Sequence, residues 1–248
     1  MPISPNQGST GGGTSVVITG VGLAGTSAVH FGTKPATIVG TPTPTQVNVV
    51  SPSGTGMVDV TVTTPGGTSN PLSFFYVGAP FACSLSPDSG GTGGGNTVTI
   101  NGTGLATATA VQFGTTSATP TVVNDGQLTV VVPTGVAAGS VGVTVTTVGG
   151  TADDLSYTYV DQPTILTLSP LSGPTAGGTE VTITGTNLAT TQSVTFGGTP
   201  APFVVISDTS ISVVTPPGAD GPVDVTVTTT GGSATSTGAF TYTTGPGI

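Results

Sequence analysis

The sequence predicts an all-β protein in which one two-sheet unit occurs three times. Its composition is that of strands and turns, since 41 of 248 residues are Gly, 21 are Pro and only 4% are charged. No long stretch shows the 3.6-residue apolar period of a helix. The third observation is an internal repeat: Ser4-Pro5 returns as Ser86-Pro87 and again as Ser169-Pro170, 82 and then 83 residues later.

Longer segments recur at the same offsets and set the limits of the copies. Val16–Leu23 matches Val98–Leu105 and Val181–Leu188. We therefore predict three domains, at residues 1–78, 79–161 and 162–248. Pro80 and Pro163 lie in the short linkers and limit bending there, which predicts a rod-like array.

About seven short runs of strand-forming residues, separated by turn residues, are present in each copy, as is typical of a two-sheet sandwich. In the first copy the predicted strands are Ile3–Ser4, Val16–Thr19, Ala28–Phe31, Thr37–Val39, Val47–Val50, Val58–Thr64 and Phe74–Val77. Residues alternate between the two faces of a strand. This alternation predicts the inward side chains Ile18, Leu23, Val29, Phe31, Val58, Val60, Val62 and Tyr76.

The stretch Gly20–Gly25 follows a β-branched run and matches half of a dinucleotide-binding fingerprint. The other copies argue for a turn instead. Gly104 and Asn187 stand where the first copy has Gly22, and Gly and Asn are the residues that most readily adopt a positive φ. A phosphate-binding loop needs a helix next, whereas Ala28–Phe31 is a predicted strand. We therefore expect no nucleotide cofactor, and no other cofactor.

The third copy carries a pattern that resembles the IPT/TIG family of immunoglobulin-like domains. The matching residues are Ser169-Pro170, Gly173, Gly177–Thr179, Val181–Gly185, Asn187-Leu188, Val194, Phe196–Gly198, Pro216-Pro217, Val223–Val227 and Phe240–Tyr242. The resemblance implies three tandem immunoglobulin-like β-sandwiches. The first copy departs from it, because its first strand is shortened to Ile3 before Ser4-Pro5. The family does not define one function, since its domains contact DNA, form receptor stalks, accompany carbohydrate enzymes or serve in adhesins.

The charge balance excludes several partners. The formal net charge is −9 and Lys34 is the one basic residue besides His30, so neither nucleic acid nor an anionic membrane is an expected partner. No apolar run reaches the roughly 20 residues of a membrane span. The N-terminus has no secretory signal pattern. The expected location is nevertheless extracellular, on a virion or on a cell surface.

Candidate reactive side chains are few, and we expect no catalytic site. His30 is predicted to be an exposed strand residue, and Cys83 a small buried hydrophobic residue. Lys34 allows a Lys–Asn isopeptide cross-link, but the other copies have Thr116 and Thr199 there, so that site is not part of the repeated plan. A protein without an acid–base or nucleophile arrangement is not expected to be an enzyme.

Calcium is the one metal for which the sequence offers ligands, although we expect no metal site. Asp153 and Asp154 are predicted in a loop before the last strand of the second copy, and Asp161 lies in the following linker. A solvated turn is the alternative for this pair.

Two functions compete. The first is a structural or display protein of a phage virion, as decoration or tail appendage, or of a bacterial surface, which assembles with itself or adheres to protein partners. The alternative is a carbohydrate-binding module that recognises surface polysaccharide. Phe75, Phe81 and Phe203 have no aromatic counterparts in the other copies and are the predicted contact surface. Thr243–Ile248 is a further candidate, as a donor strand that completes the first domain of a neighbour.

Overall fold

The computed structural model describes residues 1–245, which form 28 strands in six sheets and no helix. The sheets come in three repeated pairs, so the predicted all-β fold of three tandem sandwiches is confirmed. Three residues of the predicted donor segment Thr243–Ile248, namely 246–248, lie outside the described residues.

The first repeat contains ten strands. They are β1 (Ile3–Ser4), β2 (Gln7–Ser9), β3 (Ser15–Thr19), β4 (Ala28–Phe31), β5 (Lys34–Pro35), β6 (Thr37–Val39), β7 (Gln46–Val50), β8 (Gly56–Thr64), β9 (Gly67–Thr68) and β10 (Leu72–Val77). One sheet has the order β1-β3-β7-β6, and the other has the order β2-β10-β8-β4-β5, with β9 paired to β8.

The second repeat has the same plan. Its strands are β11 (Phe81–Ser86), β12 (Ser89–Gly91), β13 (Thr97–Thr103), β14 (Ala108–Phe113), β15 (Thr116–Ala118), β16 (Thr121–Asn124), β17 (Gln127–Val131), β18 (Gly139–Thr147) and β19 (Gly150–Val160). The sheet orders are β11-β13-β17-β16 and β12-β19-β18-β14-β15.

Each strand of the second repeat has a counterpart in the third repeat. It contains β20 (Thr164–Ser169), β21 (Ser172–Pro174), β22 (Glu180–Thr186), β23 (Thr191–Phe196), β24 (Thr199–Ala201), β25 (Phe203–Ser207), β26 (Ser210–Val214), β27 (Gly221–Thr229) and β28 (Gly232–Thr243). The sheet orders are β20-β22-β26-β25 and β21-β28-β27-β23-β24.

The packing of the backbone divides the chain into two compact units. One unit comprises Met1–Ser86, Thr97–Val131 and Gly142–Leu155, and the other comprises Pro87–Asn96, Val132–Val141 and the chain from Ser156 onward. Both units therefore contain parts of the second repeat. The domain limits at 78/79 and 161/162, which follow from the sequence repeat, stay a prediction.

All seven predicted strands of the first repeat are present, and β2, β5 and β9 are additional. The strand β2 was not predictable from local pattern because it has three residues and pairs in parallel with the distant β10, Gly8 opposite Tyr76. A glycine is required at this point, since a Cβ added to Gly8 would lie 2.8 Å from the Phe74 ring.

The core of the first repeat lies between its two sheets. Of the predicted inward side chains, all are buried except Val58, which is half-buried and packs against the core. The core also includes Val16, Val47, Val49 and Phe74. Phe74 is the centre of an aromatic chain, with Phe31 and Tyr76 each in an edge-to-face arrangement at 4.9 and 5.1 Å between ring centroids.

The strand-closing tyrosine makes the same hydrogen bond in each repeat. Its hydroxyl donates to the carbonyl of a proline in the connection between the two sheets: Tyr76 to Pro52 (2.7 Å), Tyr159 to Pro133 (2.8 Å) and Tyr242 to Pro216 (2.6 Å). The ring packs on a glycine two residues further along that connection. At Gly218, an added Cβ would lie 2.3 Å from the Tyr242 ring. The hydrogen bond and the close contact join the last strand to the opposite sheet.

The buried tyrosines predict a loss of stability at alkaline pH. Burial raises the pKa of all four tyrosines above the ordinary value near 10. Above about pH 10 the unfolded chain therefore releases phenolic protons that the folded chain retains, and the free energy of unfolding decreases as the pH rises further. Urea unfolding followed by circular dichroism from about pH 8 to pH 11 measures this.

The matched variant for this experiment is Tyr242→Phe, which has one titrating group fewer and should show a shallower alkaline decrease. A free energy of unfolding that stays constant or increases between about pH 10 and pH 11 would contradict the assignment.

Candidate interaction surfaces

The glycine-rich stretch forms a turn, as predicted. Gly22, Gly104 and Asn187 have φ values of 72°, 71° and 58°, all in the left-handed region. The chain then enters β4 in the first repeat, and the corresponding strands β14 and β23 in the others. Asn187 adds a contact of its own, because its side-chain amide donates to the carbonyl of Gln162 in the linker (2.9 Å).

Carboxylates already occupy the backbone donors of this turn in two repeats. Asp125 accepts hydrogen bonds from the amides of Gly104 (3.2 Å) and Ala106 (3.3 Å), and Asp208 accepts one from Ala189 (3.3 Å). A phosphate would need the same amides and would be repelled by these negative side chains. Sequence reasoning missed both aspartates as partners of the turn, because they lie about 20 residues away along the chain.

The candidate reactive side chains, Lys34, His30 and Cys83, do not form a common site. Lys34 donates to the carbonyl of Ser53 (2.9 Å) rather than to an asparagine. His30 is half-buried in β4. The prediction that Cys83 is buried was wrong, since this cysteine is exposed. The pairing of β11 with β13 shifts between Ala82 and Ser84, so a bulge at Cys83 interrupts the alternation from which its burial was inferred.

The aspartate pair lies in a strand and not in the predicted loop. Asp153 and Asp154 are adjacent residues of β19, so their side chains leave on opposite faces, and both are exposed. Asp161 is also exposed, directly after that strand. Among residues 1–245 there is no group of three or more His, Cys, Asp or Glu side chains able to hold a metal ion.

The three predicted phenylalanines differ in their surroundings. Phe81 in β11 is 56% exposed, and Phe75 in β10 is 40% exposed. Phe203 in β25 is half-buried and packs against the core of the third repeat. The three residues belong to three different sheets. Phe75 and Phe81 therefore present free aromatic surface, whereas Phe203 contributes mainly to its own sandwich.

Three surface cavities, of about 470, 460 and 290 Å³, have no carboxylate, imidazole or thiol among their described lining residues, and two others, of about 580 and 450 Å³, are lined by a single carboxylate each, Asp161 and Asp224. The first contains Lys34 and Tyr76, but both are already hydrogen-bonded to backbone carbonyls and burial raises the pKa of the tyrosine. These cavities thus lack the paired groups that acid–base catalysis requires.

Sequence reasoning did not single out the aliphatic edges, which we define as β6, β16 and β25. Each is the last strand of a four-stranded sheet, and within residues 1–245 its outer side has no strand partner. None contains a charged residue or Pro. Each carries exposed aliphatic side chains, namely Val39, Val122, Val123, Val204 and Ile206. The sequence did contain one signal for these edge strands, because they lack the Lys or Pro residues that usually protect an edge strand from pairing.

These features define the chain as a tandem series of β-sandwich modules. A sequence model of the IPT/TIG domain matches residues 1–76, 80–159 and 163–242. The chain therefore belongs to the IPT/TIG domain family, and it contains three tandem copies of the domain.

Fibrocystin-L from Homo sapiens is 32% identical over 238 residues, which are 91% of this chain and 6% of the relative. The chain thus spans a small part of that protein. Among solved structures, the extracellular region of plexin A4 is similar over 90% of this chain and 21% of its own, with 22% identity and a TM-score of 0.48. The Escherichia coli adhesin FdeC is similar over 95% of both chains, with 17% identity and a TM-score of 0.34.

Within the described part of the chain, no helix has the length and apolar character needed to cross a membrane.

The turn at Asn187 yields a test of its conformation. Asn187→Ala should destabilise the third repeat by about 1–2 kcal/mol, because alanine disfavours a positive φ and the amide hydrogen bond to Gln162 is lost. Asn187→Gly loses the same hydrogen bond but keeps the conformation found at Gly22 and Gly104, so it should cost less. Pulse proteolysis in urea compares the two midpoints. Equal midpoints would contradict a conformational role.

Proposed function

We propose that this chain is a non-enzymatic adhesion or assembly module displayed outside the cell, on a bacterial surface or a phage virion. The observation that carries the proposal is the exposure of the aliphatic edges. Within residues 1–245 the outer side of each of these strands has no strand partner and lies next to apolar side chains. This is the combination that β-strand addition uses to bind an extended partner segment.

The third repeat shows the arrangement most clearly. In β25, Val204 pairs with Ser212 and Phe203 with Val213 of β26, so one side of the strand is satisfied. Val204 and Ile206 are exposed. A partner that pairs with the open side gains main-chain hydrogen bonds and covers aliphatic surface at the same time.

Charge restricts the class of partner. The net charge of −9 and the single Lys disfavour nucleic acid and anionic lipid. They also leave few cleavage sites for trypsin-like proteases, which suits an extracellular protein. Protein surfaces are therefore the proposed partners.

The test uses a double variant, Val204→Thr with Ile206→Thr, which keeps β-branched residues but removes aliphatic surface from β25. The control is Val136→Thr, because Val136 is 98% exposed and lies outside the strands. Labelled protein is added to intact cells or virions of its source. We expect the double variant to lose at least about tenfold in binding, or about 1.4 kcal/mol, while the control binds like the unchanged chain.

Antibody detection in fractionated source material should find the chain in the envelope or virion fraction. A chain confined to the cytosolic fraction, or a double variant that binds as well as the control, would overturn the proposal.

Carbohydrate binding is the second candidate, favoured by the exposed rings of Phe75 and Phe81. Aromatic faces are common platforms in polar ligand sites. A glycan array separates the two functions. Binding to a glycan that is lost in Phe81→Ser would establish glycan recognition. An array on which the unchanged chain binds no glycan would rule out the carbohydrate candidate and favour the adhesion proposal. Phe203→Ala is less suitable, since Phe203 packs against the core and its loss lowers stability too.

A further inference from the structure

The second repeat has a polar pair where the other two repeats have a threonine and a phenylalanine. The pair is Asn96 and Tyr157, and its counterparts are Thr14 with Phe74 and Thr179 with Phe240. The Tyr157 hydroxyl donates to Oδ1 of Asn96 (3.0 Å), so the amide oxygen has a partner. The amide nitrogen of Asn96 is buried and has no hydrogen-bond partner within residues 1–245. Since buried donors in folded proteins are normally paired, this nitrogen indicates a place for an acceptor from another molecule.

Asn96 lines a surface cavity of about 460 Å³ together with two glutamines. Gln162 comes from the linker after β19, and Gln192 is in β23. Both glutamines are exposed, and neither side-chain amide forms a hydrogen bond within residues 1–245. The described lining residues all belong to the compact unit that contains the third repeat. Three amides with unused hydrogen-bonding capacity therefore line one cavity.

The three amides are not part of the repeated plan. The corresponding residues at the junction of the first and second repeats are Thr14, Ala79 and Thr109. The sandwich and its linker are built there without an amide side chain at any of these positions. Residues that the fold requires recur in all three repeats, as the strand-closing tyrosine does. The fold therefore does not account for the three amides, and they are available for recognition of a ligand.

The backbone beside the cavity favours a compact ligand over an added strand. The strand β12 is the end of its sheet and has only three residues. A Cβ added to its last residue, Gly91, would lie 2.5 Å from the carbonyl oxygen of Gly231. Because the turn at Gly231 closes this edge, a partner strand has no room to continue along β12. A ligand held by side-chain amides does not need that edge.

The lining of the cavity selects an uncharged ligand with hydroxyl groups. Its described lining residues include no charged side chain, and the net charge of −9 disfavours anions. An amide side chain offers a donor and an acceptor side by side, and one sugar hydroxyl can use either. The amide of Gln162 lies beside Gly232, where an added Cβ would be 3.3 Å from Nε2. The hydroxyl of Thr230 donates to Thr190 (2.9 Å), which leaves the Thr230 oxygen as an acceptor.

A second cavity, of about 580 Å³, adjoins the first, because both are lined by Gly93 and Gln162. Thr92, Thr134 and Asp161 also line the second cavity. The hydroxyls add hydrogen-bonding groups, and the carboxylate further disfavours an acidic sugar. Each volume lies in the range of small-molecule sites. Two adjoining cavities of this size fit a short chain of linked sugar units.

We propose that these two cavities bind a neutral oligosaccharide, whose hydroxyl groups form hydrogen bonds with the side-chain amides of Asn96, Gln162 and Gln192. Sugar hydroxyls supply both an acceptor for the nitrogen of Asn96 and donors for the oxygens of the glutamines. The inference goes beyond the adhesion proposal, which concerns the aliphatic edges. It also assigns recognition to residues other than Phe75 and Phe81, the aromatic residues of the carbohydrate candidate.

The first test is binding of the unchanged chain to an array of neutral and acidic oligosaccharides. We expect binding to neutral members and none to the acidic ones. In nuclear magnetic resonance spectra of the chain, the side-chain amide signals of Asn96, Gln162 and Gln192 should shift when the neutral oligosaccharide bound most strongly on the array is added. An array without binding, binding of acidic members only, or a titration that leaves these signals unchanged would overturn the proposal.

The second test uses Gln162→Ala with Gln192→Ala. The matched control is Gln112→Ala, because Gln112 is an exposed glutamine in β14. Calorimetry with the same oligosaccharide should show an affinity at least about tenfold lower for the double variant, since two hydrogen-bonding amides are lost, and no change for the control. Equal affinities would overturn the proposal. Binding lost in Phe81→Ser but kept in the double variant would also overturn it, and would support the carbohydrate candidate instead.

The third test exchanges the polar pair for the one found in the other repeats, Asn96→Thr with Tyr157→Phe. The fold accepts that pair twice, so the urea midpoint should not fall, and the loss of the Asn96 amide should weaken binding of the oligosaccharide. Affinity equal to that of the unchanged chain would show that Asn96 contacts water only and would overturn the proposal.

Discussion

Each sandwich depends on the contact that the strand-closing tyrosine makes with the connection between its two sheets. The ring of Tyr242 is buried beside Phe240, its hydroxyl donates to the carbonyl of Pro216, and Gly218 leaves room for the ring. A buried hydroxyl needs a partner, and a ring this close to the backbone excludes any side chain larger than hydrogen. This requirement accounts for the glycine that recurs two residues after the hydrogen-bonded proline in each repeat, namely Gly54, Gly135 and Gly218.

The sequence predicts the fold well where the cause is local. The bounds of β4 and β6 and the left-handed conformation at Asn187 follow from alternation and from the Gly–Asn exchange. Prediction from the sequence fails where a strand depends on a partner far away along the chain, or where a bulge interrupts the alternation of side chains. The three-residue β2 needs β10 as its partner. The bulge at Cys83 places this side chain on the face opposite to the one predicted by strict alternation along the strand.

The candidate surfaces were harder to predict, because exposure depends on which strand ends a sheet. The apolar run Phe203–Ile206 can be interpreted as a buried strand, yet its position at the end of a sheet exposes Val204 and Ile206. Phe203 lies on the opposite face of the same strand and is half-buried. Strand order, which no single segment of sequence contains, therefore decides which side chains are available for binding. Because only 4% of the residues are charged, few charged side chains are present to protect such edges.

The most direct test of the tyrosine contact is Gly218→Ala, compared with Gly142→Ala, where an added Cβ meets nothing within 4 Å. Hydrogen exchange of the full chain, followed by mass spectrometry, measures the local opening free energy of β27 and β28. We expect a decrease of about 1–3 kcal/mol in the third repeat for Gly218→Ala and little change in the second repeat for Gly142→Ala. Equal protection of β27 and β28 in Gly218→Ala and the unchanged chain would contradict it.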